Sequence, residues 1–184
     1  MTDSTLTEVF PVSLREQLRR GFTIAQQYLA SAVWFDSLRL PRLAAQCYRR
    51  HTRHRENALR IVQHLLDRDL EVRIGGVDEP RSEFESPRAA VETLLTAERV
   101  FTDASTVLVD TARSQGDYLG EQFAAWFLEE QQENVAAMTT LLDVFDRESG
   151  TLFDIEEFVR RDMPGPGIAD PAAPKMAGDL PEFR

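Results

Sequence analysis

The chain predicts an all-α fold, a four-helix bundle with one long crossover and a short fifth helix. Three observations predict it. All nine prolines stand at segment boundaries (Pro11, Pro41, Pro80 and Pro87, then five from Pro164 to Pro181). Proline breaks helix interiors, so the stretches between them are free to be long helices. Each stretch has apolar residues recurring at three- and four-residue spacing, the period of a helix with one buried face. The links between the stretches run short, long, short, and link length dictates which helices become neighbours.

After an N-terminal extension, residues 1–12, the first helix spans about Ser13–Leu38 and the second about Arg42–Asp69. The few residues around Arg39–Pro41 make this pair antiparallel. Leu70–Glu85 follows, with Gly75, Gly76 and Pro80 but no helical period, and is long enough to run the length of a bundle. Ser86 as N-cap and Pro87 in the first turn open the third helix, which runs to Ser114. A tight link around Gln115–Asp117 leads to the fourth, about Tyr118–Glu148. At 1.5 Å per residue each long helix measures about 40 Å, a length that suits a bundle better than orthogonal packing. A fifth helix, Leu152–Asp162, carries Leu152, Phe153, Ile155, Phe158 and Val159 as its apolar positions. Residues 13–163 thus read as one domain. From Pro164 the chain is rich in Pro, Gly and Ala, so residues 164–184 read as a disordered tail. Its end, Leu180–Arg184, is either a docking peptide or plain tail.

Composition narrows the class. A hydrophobic share of 42% over 184 residues is ordinary for a globular protein, and no apolar run approaches the roughly 20 residues of a membrane span. Met1–Phe10 is polar and acidic, which argues against a secretory signal. The single cysteine, Cys47, allows no intrachain disulfide and fits a reducing cytoplasm. It falls on the apolar side of its helix and reads as a buried thiol. A net charge of −10 argues against nonspecific nucleic-acid binding by the surface as a whole.

Polar residues interrupt the apolar stripes near the middle of three helices. His54 lies in line with Leu43, Cys47, Ile61 and Leu65 on the second helix. Glu98 sits with Leu94, Phe101 and Leu108 on the third, and Gln131 and Asn134 interrupt the fourth. In a bundle of equal helices the midpoints meet at one height, and buried polar groups need partners. These residues therefore predict a shared site, either a metal centre or a hydrogen-bonded layer without metal. A carboxylate-bridged di-iron bundle carries Glu-x-x-His at this point, because first and fourth residues share a helix face and can grip one iron. Here the two positions are His54 and Asn57, and Glu56 points away from that face. The first helix offers only Gly21, a residue that costs about 1 kcal/mol against alanine in a helix interior, as if a side chain had been lost.

At these residues the chain resembles a known family, the actinobacterial haem-free ferritins of the bacterioferritin B type. The likeness covers about Ser13–Met163. It is strongest at Ala25–Phe35 (AQQYLASAVWF), Val62–Leu70 (VQHLLDRDL) and Asp117–Leu128 (DYLGEQFAAWFL). The resemblance implies a ferritin-like four-helix bundle in a 24-subunit cage, with the fifth helix near its four-fold axes. It also implies a di-iron ferroxidase centre, whose ligands are largely missing here. The first-helix Glu is Gly21, Glu-x-x-His is His54 and Asn57, and the second acid after the fourth-helix Gln is Asn134. Glu98, Gln131 and Glu133 are kept, as is Tyr28, which matches the tyrosine beside the family's iron centre. Two ferrous ions need bridging and terminal carboxylates to offset their charge. Glu98 alone would bridge, and Gln131 brings no charge. His54, Glu98, Gln131 and Glu133 remain as a residual metal site, since imidazole suits a divalent ion such as iron.

A second feature is basic. Arg42, Arg49, Arg53 and Arg60 fall within about 40° of one another on the second helix, inside a run that includes RRHTRHR (Arg49–Arg55). This is either a solvated face or, where the resemblance implies a cavity lining, an anion-binding one at Arg49, Arg53 and Arg60. Phosphate is then a candidate ligand. The leading expectation is a cytoplasmic iron-storage cage subunit without an efficient ferroxidase centre. It would form homo-oligomers, or hetero-oligomers with an active paralogue, and hold iron weakly and no haem. One rival is a weak ferroxidase with a rebuilt site. The other is a pseudo-ferritin that binds an anionic ligand or partner through the basic face.

Overall fold

The computed structural model describes residues 9–147, 151–163 and 170–178. Five helices follow in chain order: α1 (Val9–Ser37), α2 (Pro41–Asp67), α3 (Pro87–Ser114), α4 (Tyr118–Phe145) and α5 (Leu152–Asp162). There is no strand among the described residues. The all-α bundle with a short fifth helix is therefore as the sequence predicts.

Some boundaries differ. α1 begins at Val9, so the end of the expected N-terminal extension is helical and Pro11 lies inside the first turn. The opening N–H groups of a helix have no intrahelical acceptor, so proline there forfeits no bond. The early start buries Phe10, whose backbone N–H reaches Gln115 Oε1 at 3.2 Å. α2 ends at Asp67 because Asp69 turns into the left-handed region at φ 52°, which closes the chain away from the helix. α4 stops at Phe145, short of the expected Glu148, which lies outside the described residues.

Local chemistry holds the ends in place. Ser86 Oγ accepts from Ala89 N–H at 3.1 Å and caps α3 as its sequence predicts. Thr151 and Asp154 form a reciprocal capping box on α5. α2 lacks a side-chain cap of its own. Instead the Glu156 carboxylate of α5 accepts from Arg42 N–H at 2.8 Å and Leu43 N–H at 2.9 Å. A negative charge at a helix N-terminus is favourable, so this contact also anchors α5 to the bundle.

α1 packs on α2 and α3 on α4, and α1 lies beside α3. The crossover lies along α1, pinned by a reciprocal pair: Gln27 Nε2 donates to Arg81 O and Arg81 N–H donates to Gln27 Oε1, both at 2.9 Å. Two apolar clusters fill the bundle. One is built around Tyr28, Phe35, Leu94 and Leu141, the other around Phe10, Leu14, Leu65 and Phe127. Among the described residues no helix is long and apolar enough to cross a membrane. Cys47 is buried, and burial pushes its thiol up to about 12, so it packs as an inert hydrophobe.

Within the tail, where composition suggested disorder, Asp170–Gly178 is placed against the bundle. Ala177 N–H donates to Leu59 O of α2 at 3.1 Å. The Leu180–Arg184 end lies outside the described residues.

Candidate functional site

At mid-height, His54, Glu98 and Gln131 meet as the helix midpoints predict, all essentially without solvent exposure. Glu98 of α3 is the hub. Its Oε1 accepts from Tyr28 OH at 2.6 Å and lies 2.9 Å from His54 Nε2. Its Oε2 accepts from Gln131 Nε2 at 2.9 Å. A polar chain continues outward. Arg50 Nη1 donates to Asn134 Oδ1 at 2.6 Å, and Asn134 Nδ2 donates to Gln131 Oε1 at 2.7 Å. Two amides thus relay polarisation from the Arg50 cation to the Glu98 anion, and such chains strengthen each of their bonds. Asn134, read from the sequence as a lost ligand, is the link that carries this relay.

The electrostatics follow from the contacts. Burial alone would raise the Glu98 carboxyl. The His54 charge and hydrogen bond, the Arg50 charge and the Tyr28 hydroxyl outweigh it and hold the group at about 2. Arg50 Nη1 stands 4.0 Å from Glu98 Oε1. Tyr28 is pushed well above its ordinary value by burial and by the Glu98 charge, so it stays a protonated donor. Its ring also stacks on His54 at 5.4 Å between centroids.

A second carboxylate, Glu130, was missed by the sequence reading. Asn57 Nδ2 donates to its Oε2 at 2.7 Å, and Arg53 is ion-paired with it. The signal was available. Arg53 and Asn57 lie four apart on one face of α2 and require an acceptor opposite. Glu133, predicted beside the metal-type residues, is exposed and makes none of these bonds. Among the described residues no three His, Cys, Asp or Glu side chains converge to hold a metal ion.

Gly21 faces α2 at this level. A Cβ built there would lie 3.3 Å from Ala58 Cβ and 3.9 Å from the Phe101 ring. The absent side chain therefore lets α1 and α2 close together. On α2, His54 Nδ1 and Asn57 Oδ1 are buried without a hydrogen-bond partner among the described residues.

The arginines of the basic stripe are engaged by protein groups. Arg49 pairs with Gln46, and burial together with the neighbouring Arg50 lowers its guanidinium from its ordinary value. Arg53 pairs with Glu130. Arg60 donates to Pro174 O at 2.8 Å and lies over the Trp126 ring at 5.5 Å. Within the subunit, α2 itself, α4 and the tail each supply one of these partners.

Comparison with known proteins agrees with this architecture. A family model described as a ferritin-like domain matches residues 13–148. Ferritin BfrB of Mycolicibacterium smegmatis is 48% identical over 179 residues, covering 97% of this chain and 98% of its own length. Bacterioferritin BfrB of Mycobacterium tuberculosis is 48% identical over 169 residues, covering 92% of this chain and 93% of its own. Among solved structures, an open-pore ferritin from the hyperthermophilic archaeon Archaeoglobus fulgidus superposes with a TM-score of 0.78 at 25% identity, covering 84% of this chain and 98% of that one. Helix order, crossover and matched length agree, and this chain belongs to the ferritin family, among proteins of the bacterioferritin B type.

Proposed function

We propose that this protein is a cytoplasmic ferritin-family iron-storage subunit without an efficient di-iron ferroxidase centre of its own, assembled into a cage alone or beside an active paralogue. One observation carries the reading. Both oxygens of Glu98, the one buried carboxylate of the polar level, are already bound to protein groups. Protein groups stand in the place of metals: Arg50 supplies positive charge 4.0 Å from Glu98, His54 Nε2 lies in hydrogen-bond contact with it, and Arg53 is ion-paired with Glu130. Two ferrous ions entering here would meet those cations with too few free carboxylates to offset four added charges. Buried ions of that kind are unfavourable unless paired. Iron in this reading is cargo, taken into the shell and oxidised at the partner's centres or slowly in the cavity.

The rival reading, a weak ferroxidase rebuilt on His54, Glu98, Gln131 and Glu133, has less support because Glu133 is exposed whereas the other three are buried.

The test is aerobic Fe²⁺ oxidation followed by absorbance, with the iron content of the purified protein measured beside it. Wild type oxidises iron little faster than buffer. Gly21→Glu, His54→Glu and Asn57→His together raise the rate by orders of magnitude, whereas single changes do little because the ligands act as one unit. Since a side chain at Gly21 crowds Ala58, the triple variant is first checked for native helicity and assembly. A fast wild type overturns the proposal. An iron-free wild type that takes up none when mixed with an active ferritin overturns the storage role.

A further inference from the structure

The tail crosses the α2–α4 face through a small number of polar contacts. Trp126 Nε1 donates to Asp170 Oδ2 at 2.9 Å, and the tail's own Ala172 N–H donates to Asp170 Oδ1 at 2.9 Å. Arg60 reaches the same stretch through Pro174 O at 2.8 Å and roofs the Trp126 ring. Ala177 N–H adds a second donor to Leu59 O, a carbonyl inside α2. The residues between these anchors are Pro, Ala, Lys175 and Met176, with little apolar bulk to bury. Asp170 is the only carboxylate among residues 170–178. Its carboxyl is held below the ordinary range, first by the Trp126 hydrogen bond, then by the Ala172 N–H, with the Arg53 and Arg60 charges assisting. Arg60 Nε is buried with no hydrogen-bond partner among the described residues, a donor still to be used.

An indole N–H, a guanidinium charge over the same ring and its unused Nε–H are the donors that a tetrahedral oxyanion takes. We infer that Trp126 and Arg60 form an oxyanion site on the α2–α4 face, that Asp170 occupies it as an internal ligand, and that free inorganic phosphate takes its place and loosens the tail. Phosphate competes well because it brings more charge than one carboxylate and a geometry that matches the guanidinium fork. The tether gives Asp170 the advantage of a high effective concentration, so millimolar phosphate is needed to displace it. Arg49 and Arg53, the other two predicted anion-binding arginines, are engaged by Gln46 and Glu130 and take no part. The inference does not depend on iron storage, and its test uses iron-free protein.

The experiment is hydrogen exchange read by mass spectrometry on the full-length, assembled chain. Inorganic phosphate is titrated against chloride at constant ionic strength, so that general screening is held fixed. Phosphate raises exchange across residues 170–178 several-fold, and chloride does not. Asp170→Asn removes the internal competitor. If the tail holds the site about nine-tenths of the time, phosphate then binds about tenfold tighter by calorimetry. Adding Arg60→Gln to Asp170→Asn abolishes that binding. Trp126→Phe, which keeps the ring and loses the N–H, loosens the tail and weakens phosphate together. Equal effects of phosphate and chloride, or an Asp170→Asn protein that binds phosphate no tighter than wild type, overturn the inference. Either result leaves the iron reading untouched.

Discussion

Glu98 is the buried carboxylate on which the polar level converges, and its behaviour is testable through pH. Its ordinary value of 4.5 falls to about 2 in the fold. The folded value lies below the unfolded one, so the stabilisation is fully present above about 4.5 and is lost as pH falls through about 2. A shift of that size corresponds to about 3 kcal/mol. Glu98→Gln is therefore expected to lower stability by about 3 kcal/mol at pH 7, because Arg50 loses its buried counter-charge and the hydrogen bonds at Glu98 lose their charged acceptor. The gap between variant and wild type closes as pH approaches 2. Denaturant unfolding of both proteins across that range checks it, and a gap that stays constant with pH would assign the loss to packing instead.

At the scale of elements, helix ends and close approaches decide more than intrinsic propensity. Gly120 stands in the first turn of α4, where its N–H donates to the Asp117 cap at 2.9 Å. A Cβ there would lie 2.6 Å from Asp117 Oδ2 and 2.7 Å from the Phe10 ring. Gly120→Ala gains about 1 kcal/mol of helix propensity, yet overpacking typically costs 1–3 kcal/mol. The net expectation is a loss of up to about 2 kcal/mol, seen as a lower thermal midpoint, since Phe10 and the cap must both shift. Gly21 differs in degree: its 3.3 Å contact with Ala58 asks for a smaller movement of α1 against α2. A stability gain in Gly120→Ala would show that the α1–α4 contact is slack.

For the whole molecule, the surface carries apolar residues that a lone subunit leaves wet. Tyr118 is 80% exposed, Leu119 72% and Phe153 77%. Scattered exposed apolar residues are common, but Tyr118 and Leu119 adjoin at the start of α4, and Phe153 stands on the outer side of α5. Family membership together with these positions predicts a closed shell built through helix faces. Light scattering at micromolar concentration is expected to give that shell, and Phe153→Asp to reduce it to smaller species. A wild type that runs as a monomer or dimer would count against assembly by this chain alone.

Proline placement and apolar period were enough to specify five helices, their order and the long crossover, because a helix face repeats along the chain and can be read without knowing its neighbours. They also specified that His54, Glu98 and Gln131 share one height, since helices of equal length align their midpoints. Which acid joins that level was legible only in three dimensions. Glu130 and Glu133 lie three residues apart on α4, and a modest rotation of one helix on the next exchanges the inward member for the outward one. The packing of α4 on α2 turned Glu130 toward Arg53 and Asn57 and left Glu133 in solvent. The tail was hidden for a related reason. Its composition measures average apolarity, whereas its docking rests on a few directional bonds to Trp126, Arg60 and Leu59, whose positions exist only once the bundle has formed.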